Sequence, residues 1–167
     1  MECEIVNREV NAVPASNQDA DYETISVTVD SGAYNTVGPP KVGTHFDVKP
    51  AEASAAGRHY RAADGSVICN YGQRVVTGRT DEGTLVSMPI QVADVGKVLG
   101  SVREMVHHGN RVVFDVDSNG RSISYLESKS TGMKTAIHER NGTFQFDIKV
   151  PRRKGGGVEE VRGQEVT

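Results

Sequence analysis

The sequence predicts an all-β domain, a small closed β-barrel with one short helix, and three observations lead there. Apolar residues alternate along 24–29, with Ile25, Val27 and Val29 on one face, the period-two pattern of a half-buried strand. Turn signals recur at short spacing between extended runs, at Asp64-Gly65, Asp81-Glu82-Gly83, Ser118-Asn119-Gly120 and Asn141-Gly142. Only one stretch has convincing helical spacing, with Val102, Met105 and Val106 at i, i+3 and i+4. Layouts that alternate strands with helices are thereby excluded.

Taken in order, residues 1–21 are a loose, polar and acidic lead-in, and 24–29 form the first strand. Residues 34–49 contain Gly38-Pro39-Pro40 and Gly43, which predicts an irregular segment with at most a short strand near 45–48. The Ala-rich stretch 51–57 reads as a loop or one helical turn. Runs 59–62 and 67–70 flank Asp64-Gly65 as a hairpin, and runs 73–77 and 84–88 flank residues 81–83 as a second. Alternation continues through Ile90-Gln91-Val92. Ser101 has the character of an N-cap, Glu104 stands at the capping-box position and Gly109 closes the helix. Further strands are predicted at 111–115, 122–126, 135–139 and 143–150, the last pair around Asn141-Gly142, the strongest hairpin signal present. The domain is thus assigned to 22–150, and 151–167 is expected to be a disordered polar tail.

Composition narrows the function classes. A net charge of -3 argues against a nucleic-acid partner, and the basic cluster Arg152-Arg153-Lys154 beside three glycines reads as a solvated tail. The two cysteines, Cys3 and Cys69, lack CxxC partners, so neither a disulfide framework nor a zinc knuckle is supported; a reducing compartment follows. Residues 1–21 lack the apolar core of a signal peptide, and no apolar run approaches membrane-spanning length. The expectation is a soluble, intracellular, cytoplasmic protein without a cofactor.

The first strand ends in Asp30-Ser31-Gly32-Ala33: a carboxylate, a small hydroxyl residue and a glycine that lets backbone approach the acid. The same three residue types make ordinary turns, so the motif needs company. It has company in Ala62-Ala63-Asp64-Gly65-Ser66, Lys97-Val98-Leu99-Gly100-Ser101-Val102 with Met105-Val106, 109–115, and Asn141-Gly142-Thr143-Phe144-Gln145-Phe146-Asp147. In this order, over about residues 24–150, the chain resembles the aspartic protease region of copia-type retroelement polyproteins, within the retropepsin-like superfamily. The resemblance implies a retropepsin-type barrel with Asp30 as the catalytic acid and Ser31, Gly32 and Ala33 supporting the catalytic loop. It implies a substrate-binding flap at Ala63, Asp64, Gly65 and Ser66, and Leu99-Gly100 packed behind the loop. Tyr34-Asn35-Thr36 is bulkier than the small residues common after the motif, and Gly100 stands where copia-type sequences usually carry an apolar residue.

Hydrolysis of this kind uses two carboxylates that share a proton around a water. The chain holds one Asp-Ser-Gly, so the second carboxylate is expected from Asp30 of another copy, in a homodimer acting on a peptide or polyprotein. The alternative is an inactive retropepsin-fold interaction module or domesticated remnant. Other clusters read as structure. His107 and His108 point about 100° apart on a helix, Asp115 and Asp117 suit a strand-end turn, and Cys69 suits packing; no metal site is predicted.

Overall fold

The computed structural model describes residues 21–51 and 59–152. The expected lead-in over 1–20, the Ala-rich stretch over 52–58 and the tail from 153 lie outside the described residues. The described chain is predominantly β, with strands β1 (Tyr22–Asp30), β2 (Val37–Gly38), β3 (Tyr60–Arg61), β4 (Val67–Ile68), β5 (Asn70–Thr80) and β6 (Leu85–Ala93). There follow β7 (Val98–Ser101), helix α1 (Val102–His107), β8 (Asn110–Val113), β9 (Tyr125–Ser128), β10 (Lys134–Ala136), β11 (His138–Arg140) and β12 (Thr143–Pro151). Among the described residues, no helix is long and apolar enough to cross a membrane.

The main sheet runs β1-β7-β2-β6-β5-β12-β11, and β12 pairs with β1 as well as with β5. β7 lies between β1, to which it is parallel, and β2, to which it is antiparallel. Strands β8, β9 and β10 form a second sheet, and β3 with β4 form a separate two-stranded hairpin. At the start of β1, Tyr22 lies opposite Pro151, while the Arg152 N–H donates to the Asp21 carbonyl and Arg152 Nε to the Tyr22 carbonyl.

Alternation builds the core directly. Ile25, Val27 and Val29 of β1 point inward, as do Met88, Ile90 and Val92 of β6 and Phe146, Ile148 and Val150 of β12. Val76, Val98, Met105 and Ile137 complete the cluster. The 138–145 hairpin turns at Asn141 and Gly142, both with φ in the left-handed region at 53° and 75°. That is the geometry for which Asn-Gly is favoured. Asp147, two strand positions beyond Gln145, accepts from Arg140 Nη1 at 2.9 Å and from Ser26 Oγ at 2.8 Å, tying β11, β12 and β1 together.

Four expectations are corrected. β2 falls in a stretch read as irregular, because its two buried residues gain their strand partners only from β6 and β7. The strand expected over 135–139 divides at Ile137, which is buried and donates to the Ser124 carbonyl, so β10 and β11 join different sheets. Val106, placed by its spacing on the inner helix face, is 46% exposed, and Met105 is the buried residue of α1. Cys69 is disulfide-bonded, against the expectation of reduced cysteines; pairing depends on approach in space, which spacing does not reveal. Cys3 lies outside the described residues.

Gly78 marks the tightest crossing. A Cβ there would stand 2.4 Å from the Lys149 carbonyl oxygen and within 2.7 Å of the Val150 and Ile148 side chains. Backbone cannot swing aside as a flexible side chain can, so Gly78→Ala is expected to cost about 2–3 kcal/mol by overpacking. Urea denaturation measures this; a loss below about 0.5 kcal/mol would show that β5 and β12 part freely there.

Candidate active site

Asp30 ends β1 opposite Ser101 in the parallel β1–β7 register, with Thr28 opposite Leu99 and Val29 opposite Gly100. Its side chain is half-buried, and Oδ1 accepts the Gly32 N–H at 2.7 Å. A Cβ on Gly32 would sit 3.2 Å from that same oxygen, so the missing side chain permits the close approach. Ser31 and Gly32 are exposed and Ala33 is half-buried. Among the described residues, the Ser31 hydroxyl finds no hydrogen-bond partner.

Leu99 and Gly100 of β7 run beside Thr28 and Val29, the two residues that precede Asp30. A Cβ at Gly100 would meet Val27 Cγ1 at 2.7 Å and Met105 Cε at 2.8 Å, so a bare backbone lets α1 close onto β1. The helix then supplies most of the loop's anchors. Buried Ser101 caps α1 by accepting from the Glu104 N–H at 3.1 Å, and the same hydroxyl donates to the Ala33 carbonyl at 2.7 Å. The Ser101 N–H donates to Thr36 Oγ1 at 3.0 Å.

Glu104 is not used as the capping box predicts. Because the Ser101 N–H is taken by Thr36, the carboxylate turns to the loop, accepting from Asn35 Nδ2 at 2.7 Å and from the Thr36 N–H at 3.2 Å. Arg103 stacks over the Tyr34 ring at 4.2 Å, a cation–π contact on the exposed side. Thr36, Asn35, Ser101 and Glu104 are thus the residues that sequence reasoning missed as loop supports. The Ser-x-x-Glu spacing was visible, but the partner 68 positions away in the chain was not.

The hairpin of β3 and β4 turns at residues 62–66, where the Gly65 N–H donates to the Ala62 carbonyl and φ of Gly65 is 83°. Ala63, Asp64, Gly65 and Ser66 are all exposed. Asp64 accepts from the Ser66 N–H and hydroxyl, and these bonds hold its carboxyl below the usual range. At the base of the hairpin, Tyr60 Oη donates to Asn35 Oδ1 at 3.3 Å, which ties it to the segment that follows Asp30.

A cavity of about 400 Å³ lies on another side of α1, lined by Met88, Met105, Leu126 and Met133, with Thr36 and Glu104 in its wall. Asp30 does not line it. Asp115 and Asp117 serve turns: Asp115 accepts the Val116 N–H, and Asp117 accepts from Asn119 and Arg121. Among the described residues, no group of His, Cys, Asp and Glu has metal-binding geometry.

One titration bears on mildly acidic conditions. Burial pushes the Asp147 carboxyl up, but hydrogen bonds from Arg140 and Ser26 outweigh it, and the net position is below the ordinary 3.8. A carboxyl lowered on folding stabilises fully above its unfolded value and loses that contribution as pH falls through the folded one. Acid destabilisation from this site is therefore expected only below about pH 4, and Asp147→Asn should flatten that limb of a stability–pH curve. An unchanged limb in the variant would assign the acid sensitivity elsewhere.

Comparison with protein-family models, with curated proteins and with solved structures gives no match.

Proposed function

We propose that the chain is an aspartic endopeptidase of the retropepsin type that works as a homodimer on a peptide or polyprotein, such as that of a retroelement. The observation that carries this reading is the setting of Asp30. A half-buried carboxylate ends a strand whose inner face is buried, is oriented by the Gly32 N–H, and stands beside exposed Ser31 and Gly32. The return of the strand ladder from β12 to β1 supports a small closed β-barrel. Leu99-Gly100 beside the residues that lead into the loop, and a hairpin that reaches Asn35 through Tyr60, support the parts inferred for the catalytic loop and flap.

Each chain brings one such carboxylate, and two are needed. Across a two-fold axis, the pair of Asp30 side chains would share a proton, since two carboxyls about 3 Å apart do not both ionise readily. One takes a proton from the attacking water while the other gives one to the carbonyl oxygen. No cofactor or metal has a part in this chemistry.

The test is cleavage of a peptide mixture at mildly acidic pH, with pepstatin as inhibitor and Asp30→Asn as control. The expected result is pepstatin-sensitive cleavage that the substitution reduces by about a thousandfold or more. Cleavage that survives the substitution, or none from a folded dimer, overturns the assignment; the second outcome leaves the non-hydrolytic interaction module.

A further inference from the structure

Strand β6 lacks a neighbour along most of one edge. Its register with β5 runs from Leu85 to Ala93, but on the other side β2 pairs only with Gln91 and Val92. The phase of the ladder says which groups are left over. The Thr80 N–H donates to the Thr84 carbonyl at 2.9 Å, which makes these two a hydrogen-bonded pair. Bonded pairs recur at every second residue, so Val86, Met88 and Ile90 turn their backbone groups to β5, while Leu85, Ser87 and Pro89 turn theirs away. Gln91 keeps the phase, since its N–H donates to the Thr36 carbonyl on the far side at 2.8 Å. Among the described residues, the outward backbone groups of Leu85, Ser87 and Pro89 meet no partner.

This edge is one wall of the cavity of about 400 Å³ described above. Leu126 and Met133 of the second sheet's side face it, with buried Met88 and Met105 between them. Glu82 ties the two walls together by accepting the Ala136 N–H at 2.9 Å. Thr84, which also lines the cavity, keeps a buried Oγ1 without a partner. A row of donors and acceptors at a strand's spacing is matched by an extended peptide backbone, which repeats at the same interval. Methionine adapts to varied side chains, so the apolar lining admits such a peptide without strict selection. The two ends of the edge carry opposite charges: Arg79 stands opposite Leu85, and Glu104 accepts from the Thr36 N–H near Gln91. A strand laid antiparallel to β6 would begin near Glu104 and finish near Arg79.

We propose that the β6 edge from Leu85 to Pro89 is a peptide-docking site. It takes an extended segment as an added antiparallel strand, apolar at alternate positions, basic at its N-terminal end and acidic at its C-terminal end. The site is separate from the candidate active site, since Asp30 does not line the cavity, and it stands whether or not the chain hydrolyses peptides.

Fluorescence anisotropy on the full chain tests this, with a labelled synthetic peptide in which alternating valine and threonine are preceded by lysine and followed by glutamate. Pepstatin is present to fill the inferred site at Asp30. Saturable binding is expected. Peptides N-methylated at one position at a time should show a period of two: about tenfold or more weaker where the N–H faces β6, and less than about twofold where it faces away. Ser87→Pro removes an outward donor and no bond to β5, so it should also weaken binding about tenfold or more, while Ser87→Ala stays within about twofold. Exchanging the charged ends of the peptide should weaken binding about threefold or more. The methylated series uses wild type alone and decides the matter should Ser87→Pro fail to fold.

No saturable binding below about 1 mM, sensitivity to methylation without the period of two, undiminished binding to a folded Ser87→Pro variant, or equal binding of the end-exchanged peptide overturns the proposal. A wild-type dimer that Ser87→Pro dissociates, seen by light scattering, would give the edge to a second copy and overturn it too. Peptidase activity, assayed separately without pepstatin, stands or falls by itself.

Discussion

An equal mixture of wild-type and Asp30→Asn chains, after free subunit exchange, is expected to retain about a quarter of wild-type activity. Random pairing leaves about one dimer in four with two intact acids. The mixed dimer has one carboxylate and one amide, and an amide takes no part in passing the proton back and forth. The substitution is mild for the fold, because asparagine keeps an oxygen that accepts the Gly32 N–H now bound by Asp30 Oδ1. Loss of activity would therefore report chemistry rather than collapse, which circular dichroism of the pure variant checks. Retention of about half, with exchange verified by mass spectrometry, would mean that each chain works alone and that the second acid lies within it.

Arg74→Leu is expected to lower folding stability by about 3–5 kcal/mol, the largest effect of any single side chain considered. Arg74 is 8% exposed and points inward from β5. Its Nε donates to the Phe46 carbonyl at 2.8 Å, and its Nη1 to the Pro40 and Val42 carbonyls at 3.0 and 2.6 Å. Burial pushes the guanidinium below its usual value, and the charges of Glu23 and Asp47 partly offset that cost. Leucine would fill some of the volume but leave three carbonyls of the 40–46 segment without their donor, each at about 1–3 kcal/mol if water does not reach it. Lysine would restore little, since a single ammonium cannot reproduce the planar fork. Urea denaturation gives the answer; a loss under about 1 kcal/mol would show that the segment is held by other contacts, such as the Gly43 N–H to Glu23 bond.

The same residue shows where sequence reading stops. β1, β12 and the Asn141-Gly142 turn were legible because local pattern alone decides them: alternating Val, Ile and Phe, and a dipeptide suited to left-handed φ. The inward face of β5 is Asn70, Gly72, Arg74, Val76, Gly78 and Thr80, with one apolar residue among six. Arg74 is satisfied by carbonyls of the 40–46 segment, Asn70 by Gln91 and the Gly72 N–H, and Thr80 by the Thr84 N–H, while Gly72 and Gly78 are fitted to crossing backbone, so hydrogen bonding and close approach rather than hydrophobicity define that face. At the candidate site, Asp30, Gly32, Leu99, Gly100 and the Asp64-Gly65 hairpin were legible as motif residues in order. The supports of the loop were not. Thr36 takes the Ser101 N–H, and only that distant contact turns Glu104 from a cap into a loop anchor. The state of Cys69 was equally hidden, since it depends on which sulfur lies nearby.

The clasp between Asp21, Tyr22 and Arg152 also has a consequence for anything joined to this domain. The chain enters the described residues at Asp21 and leaves them at Arg152 at one spot, so these two positions could be linked and new ends opened at the Asn119-Gly120 turn without unthreading a strand. Asp30 lies at the opposite end of β1, roughly 26 Å from Tyr22 at a strand's rise per residue. A flanking segment therefore starts a full strand's length from the acid of its own chain. On the peptidase reading proposed above, a flank cut at that acid must double back over a long reach or be presented to a different dimer. Short flanks would then favour release between molecules, at a rate that climbs with concentration, and only long flanks would permit self-excision.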